Sequence, residues 1–431
     1  MTPHRTFGRL LAALGFAFIA IMTLTPQAGP PAFAPSLCIL CGEMAVQDTI
    51  LNLILFVPFG FGLRLAGVRR HHVVAIAFCL TVAIELLQMH IIPGRDSSLG
   101  DVITNTLGGA IGVALADSWR AWLVPTARQA RRHLWGGVLV WVTILAGTVW
   151  ALHRSLPEST LWGEWDPAIL HFDRFSGTIV KSDAAGFAFP PGARGNDPVF
   201  RQRLLSDSVL VSALVVPGAP AERTAPIVSV YDPDRRQVFL LAQRQRSLVF
   251  SIRMNAARAM VRDPIIGLEK VFPTAADARA ANDTLQVAGG IIGDALVIRA
   301  TADAHRVTRE RRIALGPALG WTFFLPWPYA FGSETVALSA LWIGGLFLPL
   351  AYWGRRARRP LEAGAALGVA VTAGLVIAPW VVGGAFVGWM EWAGVAVGLT
   401  LGAIGGRPAS WSGAHALRRA SRVRQTPVAH T

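Results

Sequence analysis

The stretch DTILNLILFVPFGFGL, residues 48–63, has the composition of a membrane helix that opens on two polar side chains. Asp48 and Asn52 are spaced i, i+4, so they share one helical face close to the helix start. A second stretch, DVITNTLGGAIG at residues 101–112, repeats the same D-x-x-x-N opening. Polar and ionisable side chains are costly inside a membrane, so two such openings predict either a functional site or interhelical hydrogen bonds.

The composition around these stretches is that of an integral membrane protein. Of 431 residues, 53% are hydrophobic and 15% are charged, and the mean hydropathy is +0.45. A soluble protein carries about 25% charged residues. The net charge of +14 comes from arginine clusters between apolar runs, which is the positive-inside pattern of cytoplasmic loops and not a nucleic-acid surface. These clusters are Arg69–Arg70, Arg131–Arg132, Arg355–Arg359 and Arg418–Arg424.

The apolar runs predict a multi-pass α-helical membrane protein with about eight transmembrane helices, both termini being cytoplasmic. The predicted helices cover residues 10–24, 48–65, 73–92, 101–116, 134–152, 334–353, 361–381 and 384–404. Between the fifth and the sixth, a Pro-broken aromatic segment at residues 319–331 is too short to span and is predicted to be interfacial.

The pattern divides the chain into five predicted parts. They are a four-helix membrane domain at 1–118, a basic loop and fifth helix at 119–153, an extracytoplasmic domain at 154–315, an interfacial segment with three helices at 316–406, and a basic cytoplasmic tail at 407–431.

The extracytoplasmic domain has short apolar runs at strand length, separated by turn residues such as Tyr231-Asp232-Pro233-Asp234. This pattern predicts an inserted all-β sandwich of the jelly-roll kind. The order SVLVSALVVPG, APIVSVYD, QVFLLAQ and LVFSIRM resembles a concanavalin A-like, or laminin G-like, domain. That resemblance implies glycan binding, with a protein-contact or spacer role as the alternative. No closely spaced carboxylate triplet accompanies these runs, so we do not expect the domain to hydrolyse glycans.

The first four helices carry the polar side chains that are candidates for chemistry. Glu85 and Gln88 share a face near the outer end of the third helix, and Arg95 follows in the loop. We expect Arg95 to partner Glu85, as a functional or a purely structural pair. The aspartates could serve only as helix caps, and the asparagines only as interhelical donors. The full set of candidates is Glu85, Arg95, Asp101 and Asp48 for catalysis, and Asn52, Gln88 and Asn105 for ligand binding.

Cys38 and Cys41 form a C-x-x-C pair in the first predicted outer loop. A small-loop disulfide is the favoured interpretation, and a redox role is the alternative. No metal motif and no nucleotide-binding loop is recognisable, so we expect neither a metal nor a cofactor.

The residues DTILNLILFVPFGFGL, IELLQ at 84–88, Arg95 and DVITNTLGGAIG together resemble the VanZ-like family of small bacterial membrane proteins. The resemblance covers roughly residues 10–117, and its order is D-x-x-x-N, P-x-G, E-x-x-Q, R and D-x-x-x-N-x-x-G-G. It implies a location in the bacterial cytoplasmic membrane. The founding member is associated with resistance to teicoplanin, a glycopeptide directed at cell-wall precursors, so the resemblance also implies an envelope role.

Three functions fit these observations. The leading hypothesis is a protein that recognises or modifies a lipid or a lipid-linked glycan at the outer leaflet, with the external domain holding glycan nearby. The first alternative is a non-catalytic scaffold in which the helices only fix the external domain to the membrane. The second is a small transporter, which the repeated D-x-x-x-N opening suggests but the apolar inner halves of the helices disfavour.

Overall fold

The computed structural model of the protein describes residues 3–26, 39–40, 42–95, 97–167, 172–189, 198–274, 283–302 and 307–407. Its long helices are apolar and its middle region is a two-sheet β domain, so the predicted fold class of a membrane domain with an inserted β domain is confirmed. The long helices are α1 Pro3–Leu24, α2 Ala45–Leu65, α3 Arg70–His90, α4 Leu99–Leu123, α5 Ala127–Ala151, α8 Thr335–Arg356, α9 Pro360–Val382 and α10 Trp389–Gly405.

Seven of these helices, among the described residues, are long and apolar enough to cross a membrane. The remaining helix is α10, which has 17 residues and so lies at the short end of the spanning range. It begins at Trp389, five residues later than expected, because the chain turns at Gly383 in the left-handed conformation (φ 75°) and stays non-helical through Gly388.

The first four helices pack through glycines that bring backbones into contact. A Cβ on Gly108 would overlap the carbonyl oxygen of Leu53, and one on Gly112 would overlap that of Val57. This pairing advances in the same direction along both chains, so α2 and α4 are parallel. The G-x-x-x-G motif of α4 is therefore the close-packing surface that such a motif predicts.

The β domain is a sandwich of two six-stranded sheets. One sheet has the order β1-β5-β6-β7-β8-β12 and the other the order β11-β10-β9-β4-β2-β3. All pairs are antiparallel except β12 with β8. The strands are β1 Trp162–Trp165, β2 Thr178–Ala184, β3 Phe187–Phe189, β4 Ser208–Val216, β5 Ala221–Tyr231, β6 Gln237–Gln245, β7 Ser247–Ile252, β8 Ile265–Leu268, β9 Leu285–Ile292, β10 Ala295–Ala302, β11 Val307–Ala314 and β12 Ala330–Phe331.

Alternating side chains of the two sheets form one shared core. Phe239 and Phe250 from the first sheet meet Val211 and Val287 from the second within this core. Two short helices lie in the connections, α6 at Pro198–Leu204 and α7 at Asn255–Arg258.

The helical part of the segment predicted to be interfacial has eight residues, which is too short for a membrane span. The segment forms a 3₁₀ helix, Pro317–Phe324, which contacts α2, α5 and α8, and then the short strand β12 at the edge of the first sheet. Leu319 and Gly320 are buried there. The segment therefore joins the sandwich to the helices.

Candidate functional site

The polar side chains of the first four helices lie at the end of the bundle that meets the sandwich. At this end α1 and α3 terminate and α2 and α4 begin, since Thr23 contacts Gln88 and Asn52 contacts Asp101. At the opposite end Arg64 and Arg70 both pair with Asp117, at 2.7 Å each. The bundle therefore has one end with carboxylate and amide groups and another rich in arginine.

Four residues form a continuous hydrogen-bonded chain between three helices. Glu85 on α3 accepts from the backbone N–H of Ser98 at 2.9 Å, through Oε2. The Ser98 hydroxyl accepts from the backbone N–H of Asp101 at 3.0 Å, and thereby caps α4. Asp101 in turn accepts from the Asn52 side chain of α2, with 2.7 Å between Nδ2 and Oδ1. The predicted residues Glu85, Asp101 and Asn52 are thus brought together by Ser98.

Glu85 is 7% exposed, while Asp101 is only partly buried. Asp101 is also close enough to Glu85 and to Asp48 for their charges to interact. Three carboxyl groups therefore share a small region at the helix ends. Such a gathering of like charges is typical of sites that exchange a proton or bind a cationic or hydroxyl-rich ligand.

Two of the predicted ligand-binding residues have hydrogen bonds of their own. Asn105 is 3% exposed and donates to the Thr81 hydroxyl of α3 at 3.0 Å, and its Oδ1 has no partner among the described residues. Gln88 donates to the carbonyl oxygen of Thr23 at 2.8 Å. Asn105 therefore lies one turn deeper than Asp101, and Gln88 ties α3 to α1.

Arg95 contacts the end of α1. Its Nη2 donates to the carbonyl oxygen of Met22 at 2.6 Å, and its Nε donates to that of Thr25 at 3.3 Å. Burial among these groups lowers the pKa of Arg95. The expected partnership with Glu85 is not among the contacts described for Arg95, whose guanidinium instead binds carbonyl oxygens at the end of α1, a favourable position for a cation.

Asp48 is the most exposed of the predicted residues and faces a cation supplied by the sandwich. Arg262, in the loop between α7 and β8, interacts electrostatically with the Asp48 carboxylate. Its backbone N–H donates to Oε1 of Gln47 at 2.9 Å. The same Gln47 side chain donates to the carbonyl oxygen of Leu325 at 3.0 Å, and the backbone N–H of Gln47 donates to that of Met260 at 3.3 Å.

The sequence analysis missed Gln47, Ser98, Thr81 and Arg262. Ser98 could have been found, because Ser three residues before Asp101 is a capping signal. Arg262 carries no local pattern at all, since it enters the site only when the sandwich docks on α2. Cys38 and Cys41 lie outside the described residues, so their predicted disulfide stays a prediction.

Comparison with known proteins finds a match for the first four helices. Residues 3–120 match the family model described as VanZ/LLP1. No curated protein and no solved structure matches the chain. The concanavalin A-like resemblance of the sandwich therefore stays a prediction. The chain is a membrane protein whose N-terminal four helices are VanZ-like and whose β-sandwich is inserted between later helices.

Proposed function

We propose that the protein recognises or modifies an amphiphile, either a lipid or a lipid-linked glycan, in the membrane leaflet on the sandwich side. The observation that carries this proposal is the chain from Glu85 through Ser98 and Asp101 to Asn52 at the sandwich end of apolar helices. Ionisable groups within membrane helices are costly and mark functional sites by default.

In this proposal Glu85 is the acid/base group, because it is the most buried of the carboxyl groups and holds only one described hydrogen bond. Asp101 and Asn52 orient a hydroxyl or amide group of the ligand beside it. Asp48 stands at the entrance, where it is exposed. Arg95 is a positioning residue, since it fixes the end of α1 next to the site.

The sandwich is proposed to hold the glycan or head group that projects from the membrane. Its loop after α7 is joined to the start of α2 by two hydrogen bonds of Gln47, one with Met260 and one with Arg262. A ligand that reaches Glu85 from the membrane surface would therefore pass beside the sandwich. The two-sheet architecture is compatible with glycan binding, and the carboxylates of the helices would then act on the lipid-proximal part.

The test compares cells that express the wild-type protein, Glu85→Gln, or a control variant in place of the native chain. Glu391→Gln is the control, because Glu391 is likewise a carboxylate of an apolar helix but lies outside the first four helices. Envelope lipids are measured by mass spectrometry and glycopeptide tolerance by growth. We expect Glu85→Gln to behave like a deletion and Glu391→Gln like wild type, with equal protein levels. Wild-type lipids and tolerance in the Glu85→Gln strain would refute the proposal.

A second candidate function is a scaffold whose helices only hold the sandwich at the membrane. It is favoured by the internal hydrogen bonds of Gln88 and Asn105, which a purely structural network would also contain. Removing residues 160–312 separates the two functions. Loss of every phenotype on this removal, together with a silent Glu85→Gln variant, would favour the scaffold.

A further inference from the structure

A cleft of about 830 Å³ lies where the sandwich meets the start of α2. One wall is formed by Glu43 and Met44, which directly precede α2. The other wall belongs to the sandwich and includes Arg253, Arg262 and Asp263. The cleft is thus built from two parts of the chain that are distant in sequence, and its lining residue Arg262 interacts electrostatically with Asp48.

Arg262 lines this cleft with its guanidinium only half-buried. Within the described residues, no acceptor lies within hydrogen-bond or ion-pair distance of that guanidinium, although Asp48 acts on it electrostatically. Burial lowers the pKa of Arg262, and the Asp48 carboxylate opposes this effect. A guanidinium has five N–H donors, and burying them without acceptors costs free energy.

Other cations stand close to Arg262. Arg253 lines the same cleft, and Arg244 is near enough to Arg262 to lower its pKa further by like-charge repulsion. Neither side chain has a described acceptor in the part of the chain that the structure covers. Arg236 differs, because its guanidinium is paired with Asp232 at 3.0 Å and with Asp234 at 2.6 Å.

The carboxyl group of Asp263, on the sandwich wall of the cleft, carries reduced negative charge. Burial raises the pKa of Asp263 to about 7, while the backbone N–H of Met254, which donates to Oδ1 at 3.0 Å, lowers it. At neutral pH a large fraction of Asp263 is therefore protonated. Arg253 and Arg262 then share the cleft with the carboxylates of Glu43 and Asp234, and Asp234 is already paired with Arg236 at 2.6 Å.

We propose that this cleft binds the phosphate group of the amphiphile, with Arg262 and Arg253 as the groups that hold it. Guanidinium groups donate paired hydrogen bonds to phosphate oxygens, and Arg253 and Arg262 line this cleft without a described acceptor. The inference rests on the proposed function and names its substrate class as a phosphate-bearing amphiphile. It also assigns the phosphate-binding part of the site to the sandwich, because both arginines belong to it.

The experiment uses the full chain purified in a neutral maltoside detergent and isothermal titration calorimetry. The probes are dioctanoyl phosphatidate, dioctanoylglycerol, which lacks the phosphate, and inorganic phosphate. The variants are Arg262→Gln, Arg262→Lys and Arg253→Gln. Arg258→Gln is the matched control, because Arg258 is exposed in the same connection but does not line the cleft. Melting temperatures confirm that each variant is folded. If Arg262→Gln does not fold, Arg253→Gln tests the site in its place.

We expect the wild type to bind dioctanoyl phosphatidate at least about 10-fold more tightly than dioctanoylglycerol, as charge-assisted hydrogen bonds provide. Arg262→Gln and Arg253→Gln should weaken phosphatidate binding about 10-fold or more, Arg262→Lys should retain part of it, and Arg258→Gln should stay within about twofold. Inorganic phosphate that binds as tightly as phosphatidate, with the same arginine dependence, would assign the site to soluble phosphate and overturn the lipid assignment.

Unchanged phosphatidate binding in Arg262→Gln and Arg253→Gln would overturn the inference, even if Glu85→Gln abolishes the envelope phenotype. Arginine-dependent binding together with a silent Glu85→Gln variant would leave the phosphate site standing and refute the proposed function instead. The two failures are therefore distinguishable.

Discussion

Two parallel helix pairs, α2 with α4 and α8 with α10, share one packing geometry and differ in polarity. In the second pair a Cβ on Gly398 would overlap the carbonyl oxygen of Gly344, and one on Gly402 that of Leu348. Leu348 directly precedes Pro349, just as Val57, the carbonyl that Gly112 meets, directly precedes Pro58. Both pairs are therefore joined by glycines at the same place relative to a proline.

When the two pairs are aligned on these contacts, the asparagines of the first pair occupy the positions of apolar residues in the second. Asn52 corresponds to Ile343 and Asn105 to Val395, both of which are buried. Only Asp101 keeps an acidic counterpart, in Glu391. The second pair shows that this packing needs no asparagine, so a purely structural role for Asn52 and Asn105 loses support.

The sandwich ends of the two pairs differ in the same way. Asp48 corresponds to Ser339, which is 1% exposed and accepts from the Trp321 indole of the 3₁₀ helix at 3.1 Å. The 3₁₀ helix therefore covers the second pair, whereas Asp48 in the first pair is exposed and faces Arg262. Asp48 is therefore more accessible than Ser339, the residue at its matched position.

The largest effect is expected from filling the glycine contacts. Gly112→Val and Gly402→Val each place a side chain against backbone atoms of the partner helix, which should cost about 3 kcal/mol, the upper end of common overpacking penalties. Gly368→Val in α9 is the control, because open space surrounds that glycine. Thermal unfolding in detergent measures all three. If Gly402→Val left the melting temperature unchanged while Gly112→Val lowered it, the two helix pairs would not share one packing geometry.

A smaller loss of stability is expected for Gln47→Leu, which introduces the residue that stands at the matched position, Leu338. The substitution leaves the carbonyl of Leu325 and the N–H of Arg262 without their partner. Because both groups are only partly buried, each should cost about 1 kcal/mol, the low end of the usual penalty. Hydrogen exchange should increase around Arg262. Gln245→Leu, at an exposed position of the sandwich, is the control and should leave exchange there unchanged.

Asn52→Ile makes the first pair resemble the second with little change in stability. Interhelical hydrogen bonds in membranes contribute about 0.6 kcal/mol on average, so the melting temperature should change little. The envelope phenotype should be lost, because Asp101 loses its side-chain donor. The reverse change, Ile343→Asn, should leave the phenotype intact. A functional Asn52→Ile protein would return Asn52 to a structural role.

The last effect concerns pH and the cleft between the sandwich and the first pair. Burial raises the pKa of Asp263 to about 7, from the 3.8 of an unperturbed aspartate. Between these values the folded protein holds a proton that the unfolded chain releases, so stability should fall as pH rises from about 4 to 7. Arg253 and Glu43 also act on this carboxyl group. Asp263→Asn should flatten the melting temperature between pH 5 and 8, and an unchanged slope would contradict the assigned pKa.

The sequence predicted the elements with a local signature. The strand Ser208–Val216 has the expected bounds, and the turn after Tyr231 joins β5 to β6. Helical and strand periodicity depend on near neighbours, so apolar runs and turn residues report them directly. The i, i+4 spacing of Asp48 and Asn52 likewise placed both groups near one helix start.

The likeness of the two helix pairs was present in the sequence as a weak signal. Phe56-Val57-Pro58 and Phe347-Leu348-Pro349 repeat an F-x-P pattern, and glycines at four-residue spacing follow in α4 and α10. Such short patterns are common in membrane helices. The tertiary structure adds that the glycines of α4 and α10 each contact the carbonyl oxygen of the residue before the proline, Val57 in one pair and Leu348 in the other.

By itself the sequence determined the membrane helices, the strand-rich insert and the VanZ-like polar residues, because each is written in local periodicity or in a short motif. The tertiary structure decided which polar groups meet. Asn52 reaches Asp101 across two helices, Arg95 turns to α1, and Arg262 arrives from the sandwich. These contacts join residues far apart in the chain, and they depend on how helices and sheets pack, which no local pattern records.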